Sequence, residues 1–239
     1  MSLTIVTWNV EWATPGSGKT AHLLNRIHRH APEVVCLTET HRELLSPRGY
    51  AVCSRPDSGN PIKCGRKVML WSEQPWRQVD DLGIDSLPPG RFVSGVTQTS
   101  LGDVTVVGVC IPWFGSRTRR GSARRGRWED HAQYLDGLRP VLEQLPRERV
   151  IVMGDFNQRL GPFSLAPAEL RRALHAALPP GMRIITSDLA FEGRDTIDHV
   201  ALTADMAAES VSVISHLNEG EALSDHFGVI ADVSARRAR

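Results

Sequence analysis

The sequence predicts an α/β protein, α+β in its segregation, of stacked sheets with helices outside, and three observations predict it. Short β-branched segments recur along the whole chain and end in Gly, Pro, Asp or Asn, as strands do. Only three segments space their apolar residues as helices do. The chain has 239 residues, of which 41% are hydrophobic and 23% charged, so it is long and apolar enough to bury one sizeable core. A single domain over residues 1–239 is the expectation.

In order, the strand-like segments are Leu3 to Val10, Val34 to Leu37, Tyr50 to Cys53, Val68 to Trp71, Phe92 to Thr99, Val104 to Ile111, Val150 to Met153, Arg183 to Thr186, Ile197 to Leu202, Val211 to Ile214 and Phe227 to Val233. The first helix is expected from about Thr20 to His30, with Leu23, Leu24 and Ile27 on one face and a stop at Ala31-Pro32. The second runs from about Arg127, with Trp128, Leu135, Leu138, Leu142 and Leu145 on its apolar stripe. Gly137 and Pro140 predict a break or kink in it. The third spans Pro167 to Leu178, with Leu170, Leu174 and Leu178 at four-residue steps. No internal repeat is visible.

No apolar run approaches the ~20 residues that cross a bilayer, and Met1-Ser2-Leu3-Thr4 lacks a signal-peptide pattern, so the expected location is cytoplasmic, without a membrane partner. Cys36, Cys53, Cys64 and Cys110 show none of the spacings that zinc sites use and read as reduced thiols. Nothing points to a protein partner, and a monomer is expected. The net charge of +1 hides segregation: Arg117, Arg119, Arg120, Arg124, Arg125 and Arg127 crowd a loop at 115–127, and Arg236, Arg237 and Arg239 a tail at 235–239. Without those nine arginines the chain would carry −8. A cationic loop on an acidic body points to a polyanion.

Polar residues sit where the apolar strands end. Val34-Val35-Cys36-Leu37-Thr38-Glu39 runs a strand into an acid, and Val150-Ile-Val-Met-Gly-Asp155-Phe-Asn157 runs another into an acid and an amide. Trp8-Asn9-Val10-Glu11 carries an amide and an acid at alternate positions; Asp198-His199 and Asp225-His226 add two Asp-His pairs. Singly each is an ordinary turn composition. Together they form an inventory for holding a hard divalent cation and moving protons around a phosphate.

Five motifs in order, Trp8-Asn9-Val10-Glu11, Leu37-Thr38-Glu39-Thr40, Gly154-Asp155-Phe156-Asn157, Ile197-Asp198-His199 and Ser224-Asp225-His226, resemble the endonuclease/exonuclease/phosphatase superfamily, which includes deoxyribonuclease-I-like and apurinic endonucleases. They span residues 8 to 228. The resemblance implies a four-layer αββα sandwich, two packed mixed sheets with outer helices, whose strand-end loops gather into a metal-dependent phosphoesterase cleft. It implies Glu39 as the principal Mg²⁺ ligand, assisted by Glu11 and Asp225, with Mn²⁺ suited to the same oxygens. Asn9 would hold a metal-bound oxygen or the phosphate, and Asp155 would position or deprotonate water. Asn157 would donate to a phosphate oxygen, and His226, oriented by Asp198, to the developing charge. His199 alternates to the opposite strand face and reads as structural.

The chain departs from that pattern at Cys110, which stands where related endonucleases place a tyrosine or histidine on the phosphate, and at Thr38 where repair members have glutamine. The arginine loop reads as backbone contact with nucleic acid, DNA foremost. Trp113 reads as a stacking platform, and Trp128 as core. The favoured activity is thus a nuclease. A phosphoesterase for a small phosphorylated metabolite or lipid headgroup, and a catalytically lapsed nucleic-acid-binding module, remain alternatives. So does a P-loop nucleotide-binding protein, because Ala13-Thr-Pro-Gly-Ser-Gly-Lys19-Thr20 is one residue from the phosphate-binding pattern.

Overall fold

The computed structural model describes residues 1–45, 49–56, 64–116, 126–161 and 164–236. Its first half contains β1 (Ser2–Asn9), α1 (Gly18–His28), β2 (Val34–His41), β3 (Tyr50–Cys53), β4 (Gly65–Ser72), β5 (Arg77–Asp80), β6 (Phe92–Thr99) and β7 (Gly102–Cys110). Then follow α2 (Glu129–Glu143), β8 (Val150–Asp155), α3 (Ala168–Ala177), β9 (Arg183–Ile184), β10 (Ala190–Phe191) and β11 (Arg194–Asp195). The chain closes with β12 (Asp198–Leu202), β13 (Met206–Ile214), β14 (Leu217–Asn218), β15 (Glu221–Ala222) and β16 (Gly228–Ala235).

Two mixed six-stranded sheets form, in the orders β13-β16-β1-β2-β4-β3 and β5-β6-β7-β8-β12-β9. Among the described strands only β1 with β2 and β7 with β8 run parallel. Side-chain alternation divides the core into three layers. Leu3 and Ile5 of β1 face Val104, Val106, Ile151 and Met153 between the sheets. Val6 and Trp8, one residue out of phase, face Leu23 and Ile27 of α1. On the far side, Val107 and Val109 of β7 meet Tyr134, Leu138 and Leu142 of α2 and Leu174 of α3. The resulting sequence of layers, helix, sheet, sheet, helices, is the αββα sandwich expected.

The parallel pairs matter for the site. They bring the C-terminal ends of β1, β2, β7 and β8 to one edge of the sandwich, where the antiparallel β12 and β16 begin. Register places Cys110, Asp155 and Asp198 side by side on β7, β8 and β12. Gly154 allows it: its φ is +135°, and a Cβ there would lie 2.1 Å from the Val109 carbonyl oxygen.

Several expectations need correction. No break occurs in α2; Asp136 is exposed, so the carbonyl that lacks a Pro140 N–H partner has water available. Gly137 is packed instead, its missing Cβ leaving room for Ser86 and Leu87. Trp128 lies outside the helix, as a left-handed cap with φ 71°, and is half-buried rather than core. The first helix starts two residues early because Ser17, not Thr20, caps it: Ser17 Oγ accepts from the Thr20 N–H at 3.2 Å. The expected strand at Arg183 to Thr186 shortens to two residues. No helix among the described residues is long and apolar enough to cross a membrane. The arginines at 117, 119, 120, 124 and 125, and the tail beyond Arg236, lie outside the described residues.

Candidate active site

The deepest functional group is Asp155, 2% exposed at the end of β8. Its Oδ2 accepts from Asn9 Nδ2 at 3.0 Å and from Asn157 Nδ2 at 2.9 Å, while Oδ1 accepts from the Asn157 backbone N–H at 2.8 Å. Asn9 is fixed in turn, because its Oδ1 takes the Glu11 N–H at 3.0 Å and its carbonyl takes Ser224 Oγ at 2.7 Å. Burial, helped by the nearby Asp198 charge, pushes the Asp155 carboxyl up to about 7, against the opposing pull of His226 and the two asparagines.

Beside it, Asp198 Oδ2 and His226 Nδ1 are 2.5 Å apart. Burial alone would lower the imidazole's pKa, but Asp198, with Asp155 and Asp225 behind it, raises it to about 10. At neutral pH the ring is therefore an imidazolium that donates from Nδ1 to Asp198, with Nε2 toward Asp225 Oδ1 at 3.8 Å. Trp8 locks the segment by donating its indole N–H to the His226 carbonyl at 2.8 Å. Asp155, Asp198 and His226 bring ligand-type atoms within 4.8 Å of one another. That trio could hold a metal ion.

Among the described residues the three expected metal ligands, Glu39, Glu11 and Asp225, are not brought into one ligand-spaced cluster. Glu39 Oε1 accepts from Lys67 Nζ at 2.6 Å, and that ammonium also lies 4.9 Å from the Trp12 ring centroid. Glu11 Oε2 accepts the Asp225 N–H at 3.2 Å and lies 3.8 Å from Lys19 Nζ. Sequence reasoning missed Lys67, which sits opposite Glu39 only through the β2–β4 register. Backbone strain concentrates here: Glu11, Trp12, Glu39 and Asn157 all have φ between 46° and 57°, a left-handed region that costs non-glycine residues of order 1 kcal/mol each.

Cys110, expected as a substrate contact, is buried beside Asp155. The inward face of β7 carries it into the layer between the sheets, where it is 1% exposed and 3.7 Å from the buried Arg91 guanidinium. Burial pushes the thiol up to about 12. Trp113, by contrast, is half exposed at the cleft, with Phe114 edge-on at 4.8 Å, and Arg127 lies over the Phe114 ring at 4.5 Å. Trp128 joins them. Trp113, Phe114 and Trp128 line, with Asn157, Arg194, Asp195, Asp198 and His226, a cleft of about 220 Å³.

His199 is fully buried and structural, its ring nitrogens 2.9 Å from Thr186 Oγ1 and 2.9 Å from the Gln158 carbonyl. Burial lowers it to about 4. With His131, which contacts Gln158 Oε1 at 3.0 Å, it pins the segment that follows Asp155. The P-loop-like stretch is likewise accounted for. Thr20 is buried and gives its hydroxyl to the Thr14 carbonyl at 2.6 Å, and Lys19 pairs with Glu11, so the groups a nucleotide needs are engaged in a turn and a helix cap.

The family model described as Endonuclease/Exonuclease/phosphatase family matches residues 6–226. Among solved structures, the 3' phosphatase NExo from Neisseria bound to a product DNA hairpin superposes with a TM-score of 0.71 at 17% identity, covering 96% of this chain and 98% of that one. TDP2 from D. rerio, complexed with a single-strand DNA product, gives 0.68 at 13%, covering 98% and 99%. An endonuclease/exonuclease/phosphatase from Beutenbergia cavernae gives 0.64 at 17%, covering 98% and 72%. No curated protein matched the sequence.

Proposed function

Because the chain belongs to the Endonuclease/Exonuclease/phosphatase family, we propose that it is a Mg²⁺- or Mn²⁺-dependent phosphodiesterase that hydrolyses nucleic acid, DNA foremost. One observation carries the reading: a buried, amide-held Asp155 stands beside an Asp198–His226 pair, at the sheet edge that also presents Glu39, Glu11 and Asp225.

The cleft mouth suits a hard cation. Its donors are carboxylate oxygens, no thiol is among them, and the ammoniums of Lys67 and Lys19 already stand in for a cation on Glu39 and Glu11. Glu39, Glu11 and Asp225 would hold the ion. Once bound it supplies Lewis-acid neutralisation of the phosphate's negative charge. The chain's own groups do the rest. Asp155 orients a water and takes its proton when ionised, Asn9 and Asn157 keep that carboxylate aimed, and Asn157 Nδ2 also donates to the Ile111 carbonyl, which fixes its rotamer. The His226 imidazolium gives a hydrogen bond or a proton to a phosphate or leaving-group oxygen, with Asp198 stabilising the charged ring.

Nucleic acid is favoured because two of the structural neighbours hold DNA and because the six-arginine stretch enters and leaves beside Trp113, Phe114 and Trp128 at the cleft. Phosphate contacts from that stretch make affinity fall by about 0.9 log unit per contact for each log unit of salt. The test is incubation of end-labelled single- and double-stranded DNA oligonucleotides with Mg²⁺, Mn²⁺ or EDTA at 25 and 200 mM salt. Metal-dependent cleavage that weakens with salt supports the reading. Intact strands under every condition, beside cleavage of a small phosphoester, would move the substrate to the latter class.

A further inference from the structure

Around Asp155 the amide donors are turned to that carboxylate and away from a phosphate. Asn157 Nδ2 donates to Asp155 Oδ2 and to the Ile111 carbonyl, at 2.9 Å each, and Asn9 Nδ2 donates to the same carboxylate at 3.0 Å. Cys110, beside Asp155 in the β7–β8 register, is buried, and a thiol is a weak donor. Of the described side chains, the proposed reaction thus gives the phosphate only His226 as a donor. A phosphate under attack spreads its charge over several oxygens, so aimed donors on more than one side stabilise it better than one imidazolium does.

Lys67 stands on the other side. Thr38 pairs with Val68 and Thr40 with Arg66, so the left-handed Glu39 between them faces Lys67, whose Nζ lies 2.6 Å from Glu39 Oε1. Trp12 flanks the pair, with its ring centroid 4.9 Å from Nζ and its N–H on the Glu39 carbonyl at 2.6 Å. The pair is not sealed in, since the Lys67 side chain keeps 15% of its surface open and that of Glu39 25%. Lys67 also lies near the Cys110 thiol: burial dominates that thiol's pKa, but the Lys67 charge lowers it and the Glu39 charge raises it. The sheets meet closely there, because Gly108 of β7 leaves room for Val68 and Leu70 of β4. Arg91, the other cation acting on the thiol, is 7% exposed and bonded to the Cys110 carbonyl at 3.0 Å. A partly desolvated ion pair adds little net stability, so stability is a poor account of why Lys67 and Glu39 are paired here.

We propose that Lys67 is a second phosphate ligand of this centre, held in reserve by Glu39 until that carboxylate is neutralised. An ammonium is a compact charge with three rotatable donors on a flexible stem, so it can leave a carboxylate oxygen for a phosphate oxygen nearby without moving the backbone. While Glu39 is charged and unliganded, it satisfies the ammonium and masks it from an anion. Neutralising Glu39 removes the competitor and leaves Nζ to the substrate. The inference rests on the phosphodiesterase reading and adds a substrate contact to it.

The experiment is a double-mutant cycle on binding in EDTA, so that the readout is affinity and not turnover. Binding of a labelled single-stranded DNA oligonucleotide is measured against salt for wild type, Lys67→Met, Glu39→Gln and the double variant, with thermal melts showing that each folds. Glu39→Gln removes the masking charge without metal. Lys67→Met should weaken binding about tenfold more in the Glu39→Gln background than in wild type, the loss of one hydrogen bond from a charged group. It should also lower the salt slope there by about 0.7, one phosphate contact on a single strand. Lys67→Arg, which keeps the charge, should retain that slope. Equal effects of Lys67→Met in the two backgrounds, as long-range charge alone would give, or no effect in Glu39→Gln, would overturn the proposal while leaving the phosphodiesterase reading in place. Failure of wild type and every variant to bind the strand would remove the nucleic-acid reading, and the Lys67 contact with it.

Discussion

Asp198→Asn takes away the charge that keeps His226 protonated. In the metal-free protein the ring's pKa is raised from 6.5 to about 10, a preference for the imidazolium of about 5 kcal/mol at ~1.4 kcal/mol per unit. Burial works against that preference, so the surrounding carboxylates together supply more than the observed rise. Of these, Asp198 is 2.5 Å away, Asp225 is 3.8 Å away and Asp155 is held by amides. Removing the nearest charge while burial stays should bring His226 down by at least about two units, roughly 3 kcal/mol. Isotope-labelled histidine NMR between pH 5 and 11 reads this directly. Because the folded pKa lies above the unfolded one, the pair contributes stability that is complete below pH 6.5 and disappears as pH rises through 10. Unfolding free energy of the wild type should thus fall across that window more steeply than that of Asp198→Asn. A wild-type His226 that titrates near 6.5, or one that Asp198→Asn leaves unmoved, would refute the reasoning.

Other consequences follow from the same structure. Lys67→Met should tighten binding of Mn²⁺ to the substrate-free protein about tenfold, read by metal-dependent thermal shift, because an ammonium no longer occupies Glu39 Oε1. Unchanged or weaker binding would show that Lys67 does not compete with the cation. Of the four thiols, Cys64 is exposed and should react with a disulfide reagent at once, Cys53 slowly, and Cys36 and Cys110 only on unfolding; prompt labelling of Cys110 would place it at the surface after all. Gly154→Ala should cost more than about 3 kcal/mol in urea unfolding, since its Cβ would overlap the Val109 carbonyl that holds β7 to β8.

The chemistry of the site was legible because it resides in residue types that apolar strands rarely carry at their ends. Asn9, Glu39, Asp155, Asn157 and Asp198 each interrupt or end an apolar run, and the strands place them at one sheet edge. What sequence could not supply was register. Lys67 reads as one more polar residue in Gly65-Arg66-Lys67 until β4 pairs with β2 and sets it opposite Glu39. Cys110 was expected to contact the phosphate by the family resemblance, and burial beside Arg91, which its residue type does not announce, leaves it 1% exposed. Trp128 fits a helical stripe by spacing, but its left-handed backbone puts it before the helix and into the cleft wall. Polar or two-residue elements such as β5, β10 and β11 carry no apolar signal, and the hairpin that presents Asp195 was accordingly unseen. Pro140 misled in the opposite direction, because its cost depends on whether the carbonyl it abandons faces water.

The most direct test of the central claim is nicking of supercoiled plasmid at low salt with Mg²⁺, comparing wild type, His226→Ala, Asp155→Asn and wild type in EDTA. The account predicts relaxed circles from wild type with metal alone, and rates at least about a hundredfold lower for both folded variants. Equal nicking by wild type and variants, or nicking that persists in EDTA, would contradict a cation-assisted centre built from Asp155 and the Asp198–His226 pair.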